Sequence, residues 1–128
     1  MIMSSLVMTQ HEFLMNVAEL LKYAEQHGYI VTGGELWRPI EMQKLYVQTG
    51  RSKTMQSQHL NRLAIDLNFF SKTHSGTLKL LSRREDIAEL GKLWENMNAN
   101  NRWGGSWRGK IESGRYTFID IPHFERTR

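Results

Sequence analysis

The sequence predicts a single α+β domain in which a small, mainly antiparallel sheet packs with helices. Three observations on its 128 residues lead there. Apolar residues near the start recur at the period of a helix, whereas those of residues 63–69 alternate at the period of a strand. The order along the chain is helix, strand, helix, strand, helix, then short strands, without repeats, low-complexity tracts or linkers.

Taking the elements in order, Thr9-Gln10-His11-Glu12 reads as a capping box. Phe13, Leu14, Val17, Leu20, Leu21 and Ala24 then follow at helical spacing until Gly28 stops the run, which predicts a first helix from about Gln10 to His27. Tyr29 to Thr32 reads as a short strand ended by Gly33-Gly34. Pro39 suits the opening of a second helix that Gly50 closes, with Ile40, Gln43 or Lys44, and Val47 on one side. In the strand from Leu63 to Phe69, the residues Leu63, Ile65, Leu67 and Phe69 point one way, and Ala64, Asp66 and Asn68 the other. A third helix runs from Ser82 or Arg83 to Asn98, with Ile87, Leu90, Leu93, Trp94 and Met97 on its apolar face and Glu85 and Asp86 in the first turn, where the helix dipole favours acids. Asn100 to Gly109 is a glycine and tryptophan loop. Tyr116 to Ile119 and His123 to Arg126 are short extended segments, since Pro122 disfavours helix at Ile121.

Composition narrows the chemistry. The chain has no cysteine, which removes disulfides, thiolate metal ligands and a cysteine nucleophile, so any metal must be held by His, Asp or Glu. A net charge of +4 and a pI near 9.6 give a mildly basic surface. The basic residues are spread out, with Arg83-Arg84 and Arg126 to Arg128 the tight groups, and read as a solvated face attracted to polyanions in general. No stretch is apolar and long enough to span a bilayer, and Met1 to Gln10 lacks the basic start of a secretion signal, so synthesis in a cytoplasm without membrane insertion is expected.

Four side chains carry the chemistry. Asp66 lies on the small, polar face of its strand next to Ala64, which leaves room for an ion, and His59 precedes the strand in a loop able to fold over it. Asp120 and His123 flank a proline, so a turn can aim both at one point, one as a ligand and the other acting on water. Two imidazoles and a carboxylate suffice to hold zinc with one position open.

The flanking residues, SxH and AIDL around His59 and Asp66 and DxxHFE around Asp120 and His123, resemble the signature of the M15 peptidases, the D-alanyl-D-alanine carboxypeptidases and phage endolysins that cleave peptidoglycan peptides. The resemblance extends from Gly34 to Glu125. It implies a Hedgehog/DD-peptidase-like fold, zinc on His59, Asp66 and His123, and Asp120 as the catalytic acid and base. Arg38, within Leu36-Trp37-Arg38-Pro39-Ile40-Glu41-Met42-Gln43, matches the family's arginine that, followed by a glutamine on a helix, helps hold the substrate carbonyl. Trp103 and Trp107 match the tryptophan and glycine stretch bordering the cleft, and Ser57 is placed to hydrogen-bond a ligand or its loop. One departure is Arg62, where many relatives carry glycine, which bears on substrate preference more than on metal binding.

The implied function is a zinc peptidase of the phage endolysin type, cutting between L-alanine and D-glutamate in bacterial peptidoglycan as a monomer, with no nucleic-acid partner. The nearest variant is a D,D-carboxypeptidase, and the competing class is a non-catalytic basic module binding wall polymer or nucleic acid. Duller roles also exist for these residues: Asp66 paired with Arg62, Asp120 as a turn former, Arg38 paired with Glu41 or Glu35, the tryptophans as core or lid, and Glu125 paired with a cation or a ligand histidine. His11, His27 and His74 read as surface residues.

Overall fold

The computed structural model describes residues 2–52, 55, 57–106, 111–112, 115–116 and 119–127. Helices α1 (Ile2–Gln26), α2 (Ile40–Gln48) and α3 (Arg84–Met97) accompany strands β1 (Ile30–Gly33), β2 (Ala64–Lys72), β3 (Leu78–Leu80), β4 (Asn101–Trp103), β5 (Ile111–Glu112), β6 (Arg115–Tyr116) and β7 (His123–Arg126). The main sheet runs β1-β2-β7-β4, with β3 on the far end of β2, and every described pairing is antiparallel. β5 and β6 pair apart from it. The predicted α+β class is what the chain adopts.

Helix α1 starts a turn or more before the sequence suggests. Thr9 lies inside it, its hydroxyl donating to the Ser5 carbonyl at 3.0 Å, so Thr9 to Glu12 is not a cap. Its end is as expected: Tyr29 N–H donates to Ala24 O at 3.0 Å and Gly28 N–H to Glu25 O at 3.3 Å, the paired bonds of a Schellman stop. Arg83 N–H donates to the Asp86 carboxylate at 3.2 Å and caps α3 where the sequence puts its start.

The odd residues of β2 face the core as the alternation requires, with Leu67 and Phe69 buried beside Leu63. At the centre lies Phe124 of β7, against Phe69, Trp94 and Trp103 at ring separations of 6.0, 5.9 and 6.4 Å. Phe13 of α1 meets Trp94 of α3 edge to face at 5.6 Å and joins the two helices. Two expectations are corrected here. The stretch after Asn100 is not all loop, because residues 101–103 pair with β7. Arg126 is not a surface cation: it is 3 % exposed, on the core side of β7, donating to Asn101 Oδ1 and Asn16 Oδ1 at 2.7 Å each and to Glu12 at 3.1 Å. Buried charge demands partners, and these tie β7 to α1.

Gly91 lets α3 approach Trp103, since a Cβ there would lie 2.0 Å from a carbon of the indole ring. Alanine is the better helix former by about 1 kcal/mol, yet overpacking a core typically costs about 1–3 kcal/mol. With a contact this short the clash wins. Gly91→Ala is expected to lower the free energy of unfolding, and a rise in the denaturation midpoint would contradict this packing.

Candidate metal centre

The site follows from the strand period. Asp66 is paired across the ladder with His123, and Ala64 with Glu125, so these four side chains share the face opposite the core. The motif at the C-terminal end alternates in the same way: His123 and Glu125 project to the site, Phe124 to the core. His59 enters from a 3-10 turn, residues 58–61, whose first N–H groups are capped by Ser57, with Oγ accepting from His59 N–H at 3.2 Å. Arg62 ends that turn at φ +56°, the left-handed region that glycine adopts most easily. Glycine would take this conformation without strain; here the Arg62 guanidinium lies over the Trp37 ring at 4.9 Å.

Both imidazoles are oriented by the nitrogen turned away from the centre. His59 Nδ1 donates to the Leu36 carbonyl at 3.0 Å, leaving Nε2 facing Asp66 Oδ1 at 3.4 Å. His123 Nε2 is bonded to Glu125 Oε1 at 2.7 Å, leaving Nδ1 at 3.5 Å from Asp66 Oδ1, the oxygen that His59 also faces. His59 and His123 are 2 % and 5 % exposed. Asp66 Oδ1 is buried and, among the described residues, has no hydrogen-bond partner. The imidazoles act on it by charge and proximity, at distances too long for good hydrogen bonds.

One ligand atom from each of His59, Asp66 and His123 lies within 4.8 Å of the others. The residues fit a zinc ion: bonds of about 2.0–2.1 Å in tetrahedral geometry set neighbouring ligands about 3.4 Å apart, which the two contacts to Asp66 Oδ1 match. A bound cation would also satisfy the orphaned oxygen, whose burial is otherwise costly.

Asp120 stands beside this set without belonging to it, its Oδ2 4.0 Å from His123 Nδ1. A turn holds both, with His123 N–H donating to Asp120 O at 3.1 Å and Asp120 N–H to Gly104 O at 3.1 Å. Gly104 permits this approach, since a Cβ would meet Asp120 O at 2.1 Å.

The electrostatics separate the two aspartates. Burial works to raise the Asp66 pKa, but the neighbouring His123 and His59 outweigh it and hold the group well below the usual carboxylate range. For Asp120 burial prevails: its pKa is raised, helped by the Asp66 charge and opposed by His123, His59 and Arg38. Burial acts to lower the pKa of His123, yet Asp66 and Glu125 push it up to about 9. Glu125 therefore acts on the histidine from behind. Glu125→Gln is expected to weaken zinc binding about 10–100-fold, measured by competition with a chelator; unchanged affinity would remove it from that role.

Arg38 is 8 % exposed and gripped from several sides. Its Nε donates to Glu35 Oε1 at 2.5 Å, and Nη2 contacts the same oxygen. Nη1 donates to Gln43 Oε1 at 2.6 Å and to Ser57 Oγ at 3.4 Å. Glu35, rather than Glu41, is thus its acidic partner. Gln43 is the buried residue of α2, whereas Ile40 is 44 % exposed, so the expected side of that helix is built around a polar contact.

Trp103 is corrected from a cleft residue to a core residue. It is 3 % exposed, and its indole N–H donates to Ile121 O at 2.8 Å, bracing the turn that carries Asp120. Trp107 lies outside the described residues. His11, His27 and His74 are exposed, as expected.

Comparison with known proteins points the same way. Residues 50–126 match the model of a peptidase M15 family described as D-alanyl-D-alanine carboxypeptidase. The L-alanyl-D-glutamate peptidase of Listeria phage A118 is 31 % identical over 109 residues, 84 % of this chain. The chain spans 34 % of that relative's length. The crystal structure of the Serratia marcescens L-Ala D-Glu endopeptidase ChiX is similar with a TM-score of 0.59 and 22 % identity, over 84 % of this chain and 75 % of that one.

Proposed function

Because the chain belongs to the M15 peptidase family, we propose that it is a zinc peptidase that hydrolyses the peptides of bacterial peptidoglycan, cutting between L-alanine and D-glutamate. The observation that carries this reading is the buried Asp66 Oδ1, without a hydrogen-bond partner among the described residues, between two inward-facing imidazole nitrogens, with Asp120 alongside. The choice of bond is supported by the names of the two similar proteins.

His59, Asp66 and His123 would hold the zinc. When bound it would polarise the scissile carbonyl and acidify a water molecule. Asp120 accepts the proton from the attacking water, a role suited by a pKa moved up toward the working range, and returns it to the departing amine, which leaves poorly without it. Arg38 offers the substrate carbonyl its remaining Nη2 N–H, the one with no partner among the described residues. Glu125, Leu36 O and Ser57 keep the histidines and their turn in place. A donor such as the Arg38 N–H is worth about 3 kcal/mol when well aimed at the developing oxyanion. The protein would act on the cell wall as a monomer; among the described residues no helix is long and apolar enough to cross a membrane.

Incubation with purified peptidoglycan, followed by identification of the new amino termini, tests the proposal. D-Glu termini are expected. Release of free D-Ala would indicate the carboxypeptidase of the family description, and no release would leave a module that only binds.

A further inference from the structure

We propose that Glu35 is the positioning residue that holds Arg38 in register with the candidate metal ligands, and so decides whether the arginine can reach the substrate. The proposal rests on the reading of Arg38 given above.

Glu35 touches the site through both its main chain and its side chain. Its carbonyl accepts from Asp66 N–H at 2.9 Å, so the residue is joined directly to the strand position of the central carboxylate. Its side chain receives Arg38 Nε at 2.5 Å and Nη2 on Oε1, and the Tyr46 hydroxyl at 3.2 Å on Oε2. Tyr46 in turn lays its ring against the Arg38 guanidinium, 4.6 Å from the centroid. Arg38 N–H donates to His59 O at 3.1 Å. The four-residue segment from Glu35 to Arg38 is therefore fastened at one end to Asp66 and at the other to His59.

The other contacts of Arg38 do not replace this one. Gln43 and Ser57 occupy Nη1, and neither carries charge. A guanidinium this buried needs a counter-ion, and Glu35 is the carboxylate in contact with it. By taking Nε and one side of Nη2, Glu35 fixes the plane of the guanidinium and the direction of its remaining N–H. A side chain free to swing would have to be ordered again at each encounter with substrate, and a misplacement of about 1 Å can cost about a hundredfold in rate.

The test is a double-mutant cycle on the zinc-loaded protein with a soluble stem peptide containing the L-Ala-D-Glu bond. Glu35→Gln is expected to lower kcat/KM about tenfold or more while zinc affinity stays unchanged, and to have no further effect once Arg38 is alanine. Glu35→Asp, which keeps the charge but shortens the reach, should fold like Glu35→Gln and recover only part of the activity. An equal loss from Glu35→Gln with and without Arg38, or wild-type kcat/KM in that variant, would overturn the proposal. A second measurement needs no catalysis: in the metal-free protein the Arg38 Nε–H should exchange slowly with solvent by NMR, and quickly in Glu35→Gln. Equal exchange in the two would also overturn it. A wild-type protein that cleaves nothing would refute the peptidase reading alone, leaving the exchange measurement to judge Glu35.

Discussion

Asp120→Asn is expected to leave the protein folded and able to bind zinc while cutting its cleavage rate about 10²–10⁴-fold. Asp120 is not among the three clustered ligands, and its side chain is about half exposed at 46 %, so the change opens no cavity and removes no bond to the metal. What it removes is the group able to take a proton from water and hand it to an amine. Appearance of new amino termini gives the rate, and chelator competition gives the zinc affinity. Near-normal cleavage by this variant would take Asp120 out of the reaction.

His123→Ala should fail in the opposite order, losing zinc first and activity as a consequence. His123 sits on β7 across from Asp66, 5 % exposed, and its removal leaves the buried Glu125 carboxylate and the buried Oδ1 of Asp66 facing a void without their shared partner. Breaking such a buried pair costs about 3–5 kcal/mol, so the metal-free variant should unfold at clearly lower denaturant. The cost depends on pH with a defined sign. His123 is raised from 6.5 to about 9, so its stabilising charge is fully present below pH 6.5 and is lost as the pH rises through about 9. The stability gap between metal-free wild type and variant should narrow over that window; a gap that widened would contradict the charge assignment.

Much of this was legible because the site is written in the strand period. Alternation in residues 63–69 assigns Leu67 to the core and Asp66 to the opposite face, and the ladder with β7 then sets His123 and Glu125 on the face of Asp66 and Phe124 in the core. What stayed illegible depended on tertiary contacts. β3 is three exposed residues, too short to show a period, and β4 is recognised only by its pairing to β7. The box at Thr9 is overridden because the helical run already begins with apolar residues such as Leu6, which packs against the core. Trp103 could face either way by pattern alone, and the space left by Gly91 and Gly105 draws it inward. The choice of Glu35 over Glu41 follows from an extended segment, residues 34–39, whose side-chain directions have no sequence period to announce them.

The most direct test of the centre is a crystal of the protein grown with zinc and measured at the zinc absorption edge. A single anomalous peak bonded to His59, Asp66 and His123, with the Asp120 carboxylate nearby but not coordinated, is the result expected. A peak held by other residues, or none at zinc concentrations that support cleavage, would contradict the account.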